Sequence, residues 1–173
     1  TLISFTANDF CSPNVLSPEG KAFALRTYED QLRHSFDILL GKKTYQQGST
    51  VVLIAPLPVT KILRSQAVLD KKISILGQSL SCRQVRTDGK VIFREKNVVE
   101  DLRNMCSSIM KTDPNDKARI QQLEEIFDQA VEIQQLIVSE AQVKSKGTRF
   151  YFFDESYYSD VEAKDIANDC FHP

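Results

Sequence analysis

Hydrophobic and polar positions divide the chain into three short apolar runs separated by stretches with helical spacing. Residues 1–6 (TLISFT) are apolar and β-branched and stop at the turn-forming Ala7-Asn8-Asp9, which predicts a buried strand leading into a loop. Ser17-Pro18-Glu19 reads as a helix start, with Ser17 as N-cap and Pro18 at the first helical position. Leu25, Tyr28, Leu32, Phe36 and Leu39 follow at spacings of three and four, one buried stripe, and Gly41 is a stop signal. Residues 50–55 (TVVLIA) form the clearest strand, apolar on both faces and ended by Pro56 and Pro58. Such a strand suits a parallel sheet with helices on either side.

The next stretch is less legible. It holds a polar turn at Thr87-Asp88-Gly89, a short strand expected at residues 91–93 and a helix expected from about Val98. Asp113-Pro114 repeats the pattern of cap and proline, and residues 117–143 read as one long helix. Ile120, Leu123, Phe127, Ala130 and Val131 mark one face, and Ile126, Ile133 and Ile137 broaden it beyond a coiled-coil seam. Gly147 ends this region, residues 148–153 (TRFYFF) predict the third strand, and a polar loop runs to the C-terminus. Strands alternating with helices give an α/β layered sheet, in which functional residues sit just beyond the carboxyl ends of the strands. Asn8-Asp9 and Pro56-Leu57-Pro58 occupy such positions, and Asp169 and His172 lie in the loop downstream of the third strand.

Composition narrows this only a little. At 173 residues, 42% hydrophobic and 26% charged, the chain is an ordinary single globular domain. A net charge of −1 gives no electrostatic footprint for nucleic acid. No apolar run approaches the ~18 residues of a membrane span. The chain opens inside an apolar run without an initiating Met and stops at His172-Pro173, so both ends are expected to be cuts within a longer or processed protein. Four cysteines (Cys11, Cys82, Cys106, Cys170) have no zinc-ligand spacing, and no metal or other cofactor is expected. Their even number fits two disulfides and a secreted or otherwise oxidising location, against four buried thiols as the alternative. The absence of an N-x-S/T sequon lends no support to heavy glycosylation.

Of the two histidines, His34 lies beside Arg33 at the border of the first helix's apolar stripe and reads as a surface or packing residue. His172 follows Asp169 by three residues, so the carboxylate can accept a hydrogen bond from one ring nitrogen and stabilise the imidazolium formed as His takes a proton from a serine. By itself D-x-x-H is a common accident of spacing. Asn8, just past the first strand, can present its amide to a developing oxyanion, although Asn8-Asp9 also suits a plain turn.

Taken together these blocks resemble the SGNH (GDSL) hydrolase family of flavodoxin-like α/β esterases, lipases and acyltransferases. Thr6-Ala7-Asn8-Asp9 is similar to the family's G-x-N-D block, with Asn8 at the oxyanion-hole position. Asp169-Cys170-Phe171-His172 is similar to its D-x-x-H block, with Asp169 as triad acid and His172 as base. Residues 51–58 (VVLIAPLP) look like the strand before the substrate-facing loop. N-D-F-C and D-C-F-H-P are nearest in flavour to the phospholipase B and acyloxyacyl hydrolase branches, which act on lipid acyl esters outside the cytosol.

The resemblance implies a flavodoxin-like parallel sheet flanked by helices, incomplete at both ends. It implies one hydrolase domain over residues 1–173 with a helical insertion at 61–147, an acyl-ester or lipid substrate, and Tyr157 and Tyr158 as residues lining its pocket. Two departures stand out. Thr6 replaces the third-block Gly, and the nucleophilic Ser block is missing. Ser4 lies in a strand, Ser17 caps a helix and Ser107-Ser108 falls in another, so the serine is expected from an upstream segment of the same protein. If the two motifs converge, a Cys11–Cys170 bridge with Cys82–Cys106 closing the insertion is one of three connectivities, among which sequence does not choose. The competing expectations are a non-catalytic SGNH-like binding or structural protein, and an extracellular helical interaction module with accidental motif matches.

Overall fold

In the computed structural model the residues described are 2–4, 10–41, 48–56, 59–75, 77–87, 103–104, 106–154, 160–166 and 170. Three strands, β1 (Leu2–Ser4), β2 (Thr50–Ile54) and β5 (Arg149–Phe153), form an all-parallel sheet in the order β1-β2-β5. Ser4, Ile54 and Phe153 are level in the register, so the three carboxyl ends share one edge. Each predicted run contains one of these strands; β2 stops one residue before the expected end and β5 starts one residue after the expected start.

Helix α1 (Pro18–Gly41) starts where the cap pattern predicts. Ser17 Oγ accepts from Gly20 N at 3.1 Å and donates to Asn14 O at 2.9 Å. Gly20 is required by space, because a Cβ there would stand 1.8 Å from the Asn14 carbonyl oxygen. Leu25, Tyr28, Leu32 and Phe36 are the buried stripe, while Leu39 is only partly covered.

Between β2 and the last long helix lie α2 (Val59–Leu63), α3 (Gln66–Asp70), the hairpin β3 (Lys72–Ile75) and β4 (Gln78–Ser81), α4 (Cys82–Thr87) and α5 (Ser107–Met110). The hairpin was not foreseen. It pairs buried Ile73 with buried Leu80, and Gly77 takes a positive φ of 81° in its turn. The strand expected at 91–93 and the start of a helix at Val98 lie outside the described residues.

Helix α6 (Lys117–Lys144) matches the long helix, but its cap is Asp116, which accepts from Arg119 N at 3.1 Å. Asp113, the expected cap, instead closes a turn by accepting from Asn115 N at 2.8 Å. Both residues suit either task, and the apolar period does not distinguish starts three residues apart.

Helices α1 and α6 run side by side in the same direction. Lys21 faces Glu125, Tyr28 faces Gln134, and Arg33 faces Glu140. Both cover the sheet face carrying Val51, Leu53, Phe150 and Phe152, where Phe36 stacks on Phe150 with ring centroids 5.5 Å apart. On the opposite face Ile54 is buried, but Tyr151 and Phe153 are about half exposed (47% and 48%). At the outer edge of β5, Gln142 Oε1 accepts from Phe150 N at 2.8 Å, engaging a backbone donor that an edge strand would otherwise present.

The cysteines form Cys11–Cys106 and Cys82–Cys170. This corrects the pairing of Cys11 with Cys170. Residue 106 precedes α5, whose Ser108 N donates to Cys11 O at 3.0 Å, and that contact brings Cys106 rather than Cys170 to Cys11. The two closed loops span 95 and 88 residues and interlock. A loop of that size is worth about 4–5 kcal/mol in the chain-entropy view, with less for the second of an interlocked pair.

Two measurements check these contacts. Peptide mapping without reduction should recover Cys11–Cys106 and Cys82–Cys170 and neither other pairing. Arg33 donates to Glu140 at 2.6 Å and to Glu29 at 2.8 Å, and its hydrogen bond holds the Glu140 carboxyl below its ordinary range. The resulting stability is present above the ordinary carboxylate pKa and is lost as pH falls through the depressed one. Arg33→Gln should therefore lower the urea midpoint at about pH 7, and the difference from wild type should shrink as pH falls below the ordinary carboxylate range. A difference that is constant with pH would remove this ion pair from the acid side of the stability profile.

Candidate functional site

Asn8, Asp169 and His172, and with them Tyr157 and Tyr158, lie outside the described residues. His34 is exposed on α1. What the structure does show is the frame that receives the chain on each side of the two motifs.

On the Asn8 side the receiving residue is Phe10, 1% exposed. Its ring lies between the two long helices, 5.4 Å from Tyr28 and 5.6 Å edge-on from Phe127. Its carbonyl accepts from the buried Ser108 hydroxyl at 2.5 Å. The next residue, Cys11, accepts from Ser108 N and is bridged to Cys106. Ring packing, two hydrogen bonds and a covalent bond thus act on two consecutive residues directly after Asn8-Asp9.

On the other side the residue fixed is Cys170, between Asp169 and His172. It is fully buried and bonded to Cys82, the first residue of α4. Its φ of 63° is the only positive value of a non-glycine residue among those described. The left-handed region costs a residue with a Cβ about 1–2 kcal/mol, so the surrounding bonds must hold it there. Four residues earlier, buried Ile166 offers its carbonyl to Lys71 Nζ.

Buried polar contacts join these two sides. Arg86 lies four residues after Cys82 on α4 and is 4% exposed. Its Nη1 donates to Leu63 O at 2.7 Å and its Nη2 to Thr112 O at 3.3 Å, carbonyls at the carboxyl ends of α2 and α5. Burial pushes the guanidinium down to about 10, so it stays charged at neutral pH, with Asp113 pulling the other way. Thr112 Oγ1 donates to Ser108 O at 2.6 Å, and Ser108 holds Phe10 and Cys11. A continuous path therefore runs from Cys170 through Cys82, Arg86, Thr112 and Ser108 to Phe10 and Cys11.

The hydroxyls of this frame are engaged within it or in helix caps. The Ser108 hydroxyl is buried and engaged with Phe10, and Ser17 is spent on its cap. Among the described residues no cluster of His, Cys, Asp and Glu could hold a metal ion. A cleft of about 520 Å³ opens beside the first turns of α1, lined among others by Ser12, Asn14, Phe23, Thr27 and Gln31. Among the described residues Glu19 is its one carboxylate, and neither histidine nor cysteine lines it.

Sequence reading missed Phe10, Arg86, Ser108 and Thr112. Phe10 carried a signal, as a large apolar side chain wedged between a polar turn and a cysteine. Ser108 and Arg86 carried none, because their partners are 98 and 26 residues away along the chain. No helix among the described residues is long and apolar enough to cross a membrane. Compared with family models, curated proteins and solved structures, the chain matches none of them.

Proposed function

We propose that this chain supplies the oxyanion-hole and acid–base part of a serine ester hydrolase of the SGNH type, built on a flavodoxin-like sheet and acting on acyl esters, with lipids as the favoured class. Asn8 donates to the oxyanion, His172 is the base and Asp169 orients it. A serine from an upstream segment forms the acyl-enzyme, which water or another acceptor resolves. Tyr157 and Tyr158 contribute to the acyl pocket.

The observation that carries this reading is the register of the parallel sheet. Ser4 and Phe153 end their strands at one edge, and the N-D and D-x-x-H blocks both follow those ends in the chain. Carboxyl-end loops are where α/β sheets gather their chemistry. Two disulfides suit the oxidising compartment in which the phospholipase B-like branches work.

The test uses the full-length protein with a short-chain aryl ester and a serine-directed fluorophosphonate probe. His172→Ala should lower turnover by about 10³-fold or more. Asn8→Ala should lower kcat by about 10²–10³-fold with KM little changed. Both variants should melt near wild type. Unchanged turnover in either removes that residue from the mechanism, and a protein that neither turns over the ester nor takes up the probe removes the reading as a whole.

A further inference from the structure

We infer that the Cys82–Cys170 disulfide, backed by Arg86, is the positioning element of the Asp169–His172 pair and is required for its chemistry as well as for stability. The inference rests on the ester-hydrolase reading above and goes beyond it by naming what keeps the base in register.

The bridge enters the D-x-x-H block itself: Cys170 is covalently next to Asp169 and two residues before His172. A bond at that point fixes the chain inside the motif. Cys170 is buried and left-handed, a conformation that a residue with a Cβ keeps only where its surroundings impose it. Nothing in the local sequence imposes it, since the flanking residues are neither glycine nor proline. Cys82 is a rigid post because it opens α4 and its amide donates to Lys71 O at 3.0 Å. One helical turn on, Arg86 ties α4 to the carboxyl ends of α2 and α5.

The same path reaches Phe10 and Cys11 through Thr112 and Ser108. Phe10 and Cys170 therefore belong to one buried frame, although they are 160 residues apart in the chain. A catalytic group that shifts by about 1 Å loses on the order of 10²-fold in rate. Opening the bridge should thus act on the chemical step, and substrate contacts made elsewhere should survive.

The deciding experiment compares the full-length protein with its Cys82→Ala/Cys170→Ala variant. Ester turnover is measured across pH, together with the rate of fluorophosphonate labelling and the thermal melt. The expected result is a folded variant with kcat down by about 10²-fold, KM within about twofold, slower labelling, and loss of the inflection that reports the base. Cys11–Cys106 should remain intact by peptide mapping.

Should the variant fail to fold, the wild-type protein is treated with a dithiol under native conditions. Each bridge accepts two electrons and two protons to give two thiols, and the dithiol closes to its own cyclic disulfide. Residual activity is then plotted against the fraction of Cys82–Cys170 opened, as found by alkylation. Activity falling in proportion, before the melt or the Cys11–Cys106 bridge is lost, supports the inference. Unchanged kcat after opening, or kcat lost only together with the fold, overturns it while leaving the esterase reading intact. Absence of any serine-dependent hydrolysis in the untreated wild type overturns both.

Discussion

Burial of two parallel helices against one face of a three-stranded parallel sheet organises this molecule. Strands β1, β2 and β5 follow one another across the sheet without reversal, so both crossover helices, α1 and α6, fall on the same side. Their shared seam buries Leu25, Tyr28, Leu32 and Phe36 against Leu123, Phe127, Ala130 and Ile137. Each large apolar side chain so buried is worth about 1.5–3 kcal/mol against exposure. At the middle of the seam, Gln134 Nε2 donates to the Tyr28 hydroxyl at 2.5 Å. This buried hydrogen bond ties the two helices together at one position.

The frame joining Phe10 to Cys170 depends on that seam. Phe10 packs on Tyr28 and Phe127, one from each helix, so its place in the fold is set by α1 and α6 together. The remainder of the frame is polar and covalent, carried by short helices that could not stand alone. Segments such as Ser107–Met110 are a single turn and gain their order from Ser108, Thr112 and the Cys11–Cys106 bridge. The apolar seam thus sets the position of the frame, and the bridges set its connections.

Legibility in the sequence followed the range of the interaction. The stripe from Leu25 to Phe36, the run TVVLIA and the face from Ile120 to Ile137 announce themselves because helix and strand periods are local. The hairpin did not: KISI and QSLS each offer two apolar positions at most, too few to separate alternation from chance. Gln134, a polar residue in an apolar face, gave no local sign of its burial because its partner is 106 residues away. The disulfide pairing had the same obstacle. For the candidate site, sequence provided residue types and their order along the chain. The structure adds the common edge of the strands and the frame joining Phe10 to Cys170, and neither has a local signature.

The interlocked bridges also bear on how the chain is made. During synthesis Cys11 and Cys82 emerge before Cys106 and Cys170, and oxidation of the four in order of appearance would join the first two. In the native state each has its partner among the later pair. A chain oxidised as it emerges must therefore exchange its first bridge before it can finish, through a thiolate attacking an existing disulfide. Efficient production should then depend on a compartment that reshuffles disulfides as well as one that forms them. Faster oxidants without an isomerase should trap the early pairing, leaving Cys106 and Cys170 to find each other in a misthreaded chain.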